Sequence, residues 1–61
     1  MLTIEKTIYD IRNKSKDQIT DILLAEEEHF LNDHPDYQYE KYSKADGRFG
    51  ERTITLYFKK K

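Results

Sequence analysis

A single helix with a well-marked beginning and end is the feature that most constrains this chain. Residues 15–18, Ser-Lys-Asp-Gln, match a capping box, in which the Ser15 side chain accepts from a backbone N–H and the Gln18 side chain reaches back. Pro35 ends the helix, because a proline pushes the residue before it out of helical conformation. We therefore predict a helix over about residues 16–32.

The segments on either side of the helix alternate between apolar and polar residues. This period of two is typical of half-buried strands and predicts a strand over about 2–11 and a hairpin over about 37–59. The apolar sides consist of Leu2, Ile4 and Ile8 in the first strand and Ile54, Leu56 and Phe58 in the last.

Asp46-Gly47 is a hairpin turn motif, because glycine tolerates positive φ. A two-residue turn at this point pairs Tyr39 with Ile54. It places the apolar side chains of both hairpin strands on one face of the sheet.

The same turn sets Lys41 opposite Arg52, an unfavourable like-charge pair. We therefore expect Gly50 to widen the loop by two residues. An even change in loop length leaves the same side chains on each face. With that parity, Tyr42 and Tyr57 both point away from the helix-covered face.

The order of elements is β-α-β-β, which predicts one small α+β domain spanning residues 1–61. A right-handed crossover makes the first two strands parallel. The last strand is the most continuously β-forming, so we place it centrally. The prediction is a three-stranded sheet of order 1-3-2 with one helix packed on one face.

Composition limits what this domain can be. The chain of 61 residues has no cysteine, which excludes disulfides, thiolate nucleophiles and cysteine zinc sites. It has no apolar run of the roughly 20 residues that a membrane span needs, and its N-terminus lacks the apolar region of a signal peptide. We therefore expect a cytoplasmic protein. A core this small usually needs further support, and self-association is the support we expect.

The helix is apolar over too wide an arc for a helix that packs on one sheet. Leu24 and Leu31 lie beyond the main stripe, so the arc spans about 200°, whereas a one-sided helix shows a stripe a little over 100° wide. The second face of the sheet is rich in threonine and tyrosine, which suits either solvent or an interface. We predict a homo-oligomer whose interface includes Leu24, Leu31, Tyr9 and Thr55.

Candidate catalytic or metal-binding groups are few. Glu26 and His29 share a helix face, but one Glu-x-x-His per chain is a weak metal motif, and a solvated acidic face explains it better. Glu26 lies inside the apolar stripe and is expected to meet a cation such as Lys6, Lys41 or Arg52. No nucleophile and base lie at a useful spacing, so we predict no enzymatic activity, no metal and no cofactor.

Charge is unevenly distributed. Residues 1–34 hold four basic and eight acidic residues, whereas residues 35–61 hold seven basic and four acidic ones. A basic hairpin with interleaved aromatic residues can bind phosphates and stack bases, although its aromatic side chains also suit a core. The candidate ligand-binding residues are Arg48 and Arg52 for an anionic group, with Tyr42 and Tyr57 as stacking surfaces.

Two functions are compatible with these features. The first is a small non-enzymatic binding protein that acts by occupancy, as an inhibitor or accessory factor that sequesters a small anionic, nucleotide-like ligand or blocks a partner protein. Such a protein suits a phage or a mobile element. The alternative is a single-stranded nucleic-acid-binding module that uses the hairpin. The sequence pI of about 6.1 argues against binding to long duplexes.

In element order and length the chain resembles the dodecins, small flavin-storing proteins that assemble into hollow shells. The resemblance implies an oligomer with ligand sites at its interfaces. There is no tryptophan here to sandwich a flavin, so no dodecin site residue is carried over.

Overall fold

The computed structural model describes all 61 residues, Met1–Lys61. Its elements are β1 (Leu2–Ile8), a 3-10 turn (Ile11–Asn13), α1 (Lys16–Asp33), β2 (Tyr37–Asp46) and β3 (Arg52–Lys60). The strands form one sheet of order β1-β3-β2, in which both outer strands run antiparallel to β3 and therefore parallel to each other. The predicted α+β fold and its strand order are confirmed.

The core lies between α1 and one face of the sheet. Ile54, Leu56 and Phe58 alternate along β3 and are buried, and Ile8 and Phe30 complete a cluster of five buried side chains. Because β3 is central, its apolar side is flanked by a strand at each edge and covered by the helix. The helix residues that pack partly buried around this cluster are Ile19, Ile22, Leu23 and Leu31.

Stacked rings close the core at the C-terminal end of α1. The ring of Phe30 stacks on Phe58 with 4.0 Å between centroids and on His34 with 4.2 Å. Tyr37 meets the Phe30 ring edge-on at 6.2 Å. The backbone N–H of His34 also donates to the carbonyl oxygen of Phe30. The segment before Pro35 thus both ends the helix and covers the core.

The helix begins where the capping box predicts. The N–H of Gln18 donates to Ser15 Oγ at 3.1 Å, and the N–H of Ser15 donates to Gln18 Oε1 at 2.8 Å. Two backbone donors that the helix leaves unpaired are thereby satisfied. The helix ends at Asp33, one residue beyond the predicted bound.

Replacing Ser15 by alanine is expected to lower the free energy of unfolding by about 1 kcal/mol, because it removes the acceptor for the Gln18 N–H. Urea denaturation followed by circular dichroism measures the change. Ser43→Ala is the matched control, since Ser43 is exposed and makes one side-chain contact of 3.3 Å with Tyr57. Equal losses in the two variants would contradict the capping role.

The first strand is shorter than predicted. β1 ends at Ile8 rather than at residue 11, because Asp10 adopts a left-handed conformation with φ of 57° and a 3-10 turn follows. Aspartate tolerates this conformation when its side chain bonds locally, and here Asp10 Oδ1 accepts from the Asn13 amide at 2.8 Å. The N–H of Ile11 donates to the Gly50 carbonyl at 2.9 Å, which ties the turn to the hairpin loop.

The hairpin loop is longer than predicted. Five residues, 47–51, separate β2 from β3, and Gly50 takes the positive φ of 80° that the turn requires. This length sets Asp46 opposite Arg52 in the ladder. The Asp46 carboxylate accepts from Arg52 Nε at 2.5 Å and from Nη2 at 3.2 Å. An attractive pair therefore replaces the unfavourable pairing of Arg52 with Lys41.

A β-bulge in β2 changes the register again. The ladder shifts between Tyr39 and Lys41, which leaves Glu40 as the extra residue. Tyr39 is opposite Phe58, and not opposite Ile54 as a two-residue turn would place it. The odd loop length and the bulge cancel before Glu40, and Tyr39 therefore stays on the helix-covered face as predicted.

Between the bulge and the loop, only the odd loop length acts, so the side chains of residues 41–46 lie on the faces opposite to those predicted. Tyr42 lies opposite Leu56 and so shares the helix-covered face, whereas Lys41 lies opposite Tyr57 on the other face. The prediction that Tyr42 and Tyr57 point the same way is therefore wrong. A single inserted residue accounts for the error, because side chains alternate with a period of two.

The face of the sheet opposite α1 is not covered by any element of the chain. We call it the open face. It consists of Thr3, Glu5 and Thr7 of β1, Thr53, Thr55, Tyr57 and Lys59 of β3, and Gln38, Lys41, Ser43 and Ala45 of β2.

Candidate functional site

A cleft of about 550 Å³ opens beside the N-terminal half of α1. Its size falls in the range of about 300–1,000 Å³ that is typical of small-molecule sites. The helix forms one wall, the segment before the helix forms the second, and the loop end of the hairpin forms the third. We call it the basic cleft, after the five basic side chains that line it: Arg12, Lys14, Lys16, Lys44 and Arg52.

The charges of the basic cleft are largely uncompensated. Its lining includes no aspartate or glutamate. Arg52 is paired with Asp46, and its hydrogen bond lowers the pKa of that carboxyl below its ordinary value, so the pair stays ionised at neutral pH. The other four cations form no ion pair within the chain. An anion in the cleft would meet several donors that have no protein partner.

The floor of the basic cleft is apolar. Ile19 and Leu23 from the helix and Ile54 from β3 lie beneath the cations. Tyr42 stands at the side, with 53% of its surface exposed, and also lines a smaller neighbouring cleft. An exposed ring beside an apolar floor suits a planar ligand, which can stack on tyrosine and exclude water from the floor.

The structure brings together two of the four predicted ligand-binding residues. Tyr42 and Arg52 both line the basic cleft. Arg48 lines a separate, smaller cleft at the hairpin tip, together with Asp10 and Phe49. Tyr57 lies on the open face, where Lys41 Nζ is 5.4 Å from its ring centroid.

Four basic residues of the cleft were not predicted as site residues. Arg12, Lys14 and Lys16 precede or begin the helix, and Lys44 lies in β2 beyond the bulge. The spacing of positive charges at 12, 14 and 16 next to a capping box is the signal that could have indicated them. Lys44 gave no such signal, because its face depends on the odd length of the hairpin loop, which sets it opposite Ile54.

The predicted interface residues lie on separate surfaces. Leu31 packs against the chain's own core, whereas Leu24 is 54% exposed beside it. Thr55 is on the open face, and Tyr9 is an exposed residue just after β1. The wide apolar arc of the helix is thus partly explained within one chain. The prediction of an oligomer stays a prediction.

Glu26 has the cationic partner that its position in the apolar stripe led us to expect. Lys6 Nζ lies 3.4 Å from Glu26 Oε1, at the edge of the packed face of α1. His29 instead lies at the surface, 4.0 Å from Asp33. No group of three or more histidine, aspartate or glutamate side chains is close enough to hold a metal ion.

No protein-family model, curated protein or solved structure matches this chain. The 18 residues of α1 are too polar to form a membrane-spanning helix. The geometry and charge of the basic cleft are the features on which a functional proposal can stand.

Proposed function

We propose that this chain is a small, non-enzymatic, homo-oligomeric protein of the cytoplasm that acts by occupancy, and that its basic cleft takes a nucleotide-like ligand. The observation that carries the proposal is the combination of five cations, no lining carboxylate and an exposed tyrosine ring around one apolar floor. Phosphate groups match the cations and the absence of carboxylates, and a base or similar planar ring matches the exposed tyrosine.

The positions of the cations suit a ligand with several negative charges. Lys14 and Lys16 approach from the beginning of the helix, and Lys44 and Arg52 approach from the hairpin. Charges that converge from different elements are held apart by the fold, so a ligand can contact several without forcing the protein to reorganise. Binding also relieves the repulsion among the unpaired cations.

Capture rather than catalysis is the better match to the lining. The basic cleft holds no histidine, aspartate or glutamate that could act as a general base. Its hydroxyl groups belong to Thr20 and Tyr42. Neither has a histidine or a carboxylate in the lining to activate it as a nucleophile.

Blocking of a partner protein is a second form of occupancy, and the hairpin tip is the observation that favours it. Phe49 is 91% exposed, which is unusual for so large an apolar side chain. Its backbone N–H donates to Glu51 Oε2 at 3.0 Å, so the loop that presents the ring is braced from within. Arg48 lies beside it. An aromatic ring next to an arginine is typical of residues that dominate protein interfaces.

Titration with ATP tests the cleft directly. We expect Tyr42→Ala to weaken ATP binding about tenfold, because it removes the ring on which the base stacks. Isothermal titration calorimetry measures the change. Tyr57→Ala is the matched control, since it removes the same side chain from the opposite face, and its affinity is expected to stay within about twofold. The affinity for tripolyphosphate, which has no base, should be unchanged by either substitution.

The same titration separates the ligand proposal from the nucleic-acid alternative. Tyr42 and Tyr57 lie on opposite faces, so the hairpin does not offer one continuous stacking surface. If an eight-residue oligothymidylate bound much more tightly than ATP, and Tyr57→Ala weakened it, the single-strand alternative would be favoured. Absence of ATP binding by the unmodified chain would contradict the cleft proposal.

A further inference from the structure

The open face is built to be covered, although nothing in the chain covers it. Eight of its eleven residues are uncharged. Several hydroxyl groups already satisfy one another: Thr7 Oγ1 lies 3.1 Å from Thr53 Oγ1, and Ser43 Oγ lies 3.3 Å from the Tyr57 hydroxyl. Burial of paired hydroxyls costs much less than burial of unpaired ones. This face can therefore lose its water at a low desolvation cost.

Three residues of the open face are charged, and two of them, Glu5 and Lys41, have opposite signs and lie at opposite edges. Glu5 is on β1, opposite Thr55, and Lys41 is on β2, one row further along β3, opposite Tyr57. A two-fold axis parallel to β3 lays β1 of one copy over β2 of the other. Each Glu5 then comes next to the Lys41 of the second copy, and both contacts are attractive. The second cation of this face, Lys59, lies at the exposed end of β3, where water and salt screen it from its copy across the axis.

The other surfaces are less suited to a second copy. The β2 edge carries charged side chains and the bulge at Glu40, and Lys6 on β1 points toward the helix side, devices that discourage edge-to-edge pairing. Leu24 on the helix is flanked by Glu27 and Glu28. Two copies meeting there would bring like charges together.

The size of the open face sets the expected strength. Three strands about 4.8 Å apart and three to four rows of side chains about 6.8 Å apart give a footprint of roughly 300–400 Å² per copy. The two copies together bury roughly 600–800 Å², less than the roughly 1,000 Å² typical of stable complexes. We therefore expect a weak, transient dimer that forms at high micromolar concentrations.

We propose that two copies of this chain associate through their open faces, related by a two-fold axis along β3, with Glu5 of each copy next to Lys41 of the other. This deepens the homo-oligomeric part of the proposed function and rests on that part alone. The basic cleft lies on the opposite, helix-covered face, so a dimer has one cleft on each outer side.

Sedimentation equilibrium of the full chain from 5 to 500 μM tests the proposal. The expected mass at high concentration is twice the 7.4 kDa of one chain. Thr55→Arg, at the centre of the open face, should weaken the dimer at least about thirtyfold, because the two introduced guanidinium groups meet at the two-fold axis and compete with Lys41 for Glu5. Leu24→Arg is the matched control and should leave the mass unchanged. A single-chain mass for the unmodified protein at 500 μM, or loss of the dimer in Leu24→Arg alone, would overturn the proposal.

A charge exchange keeps the test decisive if Thr55→Arg fails to fold. Glu5→Lys should weaken association about tenfold, since the symmetry alters two contacts at once. Glu5→Lys combined with Lys41→Glu should restore it to within about threefold. A double variant as weak as the single one would overturn the proposed arrangement. ATP titration of the same samples keeps the two proposals apart: a monomer that binds ATP refutes only the dimer, and a dimer that does not bind ATP refutes only the cleft.

Discussion

Replacing Phe58 by alanine is expected to leave most of the chain unfolded at 25 °C. Phe58 is fully buried, stacks on Phe30 at 4.0 Å and meets Tyr39 edge-on at 6.2 Å. Truncation of a buried phenylalanine costs about 3–5 kcal/mol. A domain of this size rarely gains more than about 3–5 kcal/mol from its whole core, so this one substitution removes most of the stability. Far-UV circular dichroism and thermal melting measure the loss.

Phe49→Ala is the matched control for that substitution. It removes the same side chain from a position that is 91% exposed, so no packing is lost. We expect its melting temperature to stay within about 2–3 °C of the unmodified chain, since substitutions at exposed positions usually change stability by less than about 0.5 kcal/mol. A cooperative, unshifted transition in Phe58→Ala would show that the core does not lie where the structure puts it.

Reversing two charges of the basic cleft is expected to abolish ATP capture. Lys14→Glu with Lys44→Glu removes cations from two walls and places carboxylates in a lining that has none. Because like charges at close range repel across a partly desolvated cleft, we expect the affinity to fall more than about a hundredfold at low salt. Calorimetric titration with ATP measures it. Folding should be unaffected, since neither lysine forms an ion pair.

Lys59→Glu with Lys61→Glu provides the charge-matched control. It changes the net charge by the same amount at the far end of β3, away from the loop end where the cleft lies. The expected affinity for ATP is within about threefold of the unmodified chain, because distant exposed charges are screened by salt. Equal losses in the two double variants would mean that net charge, and not the cleft, governs binding.

Much of the fold follows from local patterns in the sequence. The capping box and Pro35 set both ends of α1 to within one residue. Alternation along β3 identifies Ile54, Leu56 and Phe58 as core. These predictions succeed because each depends on neighbours within a few positions along the chain. The ion pair of Glu26 was also foreseeable, since a carboxylate inside an apolar stripe needs a partner.

The register of the hairpin could not be predicted in the same way. The five-residue loop and the bulge at Glu40 are set by pairings across the sheet, above all that of Asp46 with Arg52. No local motif marks the bulge at Glu40 or the fifth loop residue, and that one extra loop residue is enough to transfer Tyr42 to the other face. The early end of β1 was also not predicted. It results from the left-handed conformation of Asp10, whose side chain bonds to Asn13.

Only part of the candidate site could be predicted from the sequence, because its residues come from distant parts of the chain. Tyr42 and Arg52 were singled out by their types within a basic aromatic hairpin. Arg12, Lys14 and Lys16 come from the other end of the chain. They approach the hairpin because Ile11 bonds to the Gly50 carbonyl and α1 packs across the sheet. Convergence of this kind is a property of the tertiary structure and has no counterpart in sequence spacing.

The bulge at Glu40 also divides β2 into two halves, one that packs on the core and one that lines the basic cleft. Before it, Tyr37 and Tyr39 are in phase with the core, and substitutions there act on stability. After it, Tyr42 and Lys44 are in phase with the cleft and are exposed, so they can vary without disturbing the packing. Substitutions in the second half of this edge strand can therefore change ligand preference during evolution, while the first half maintains the fold.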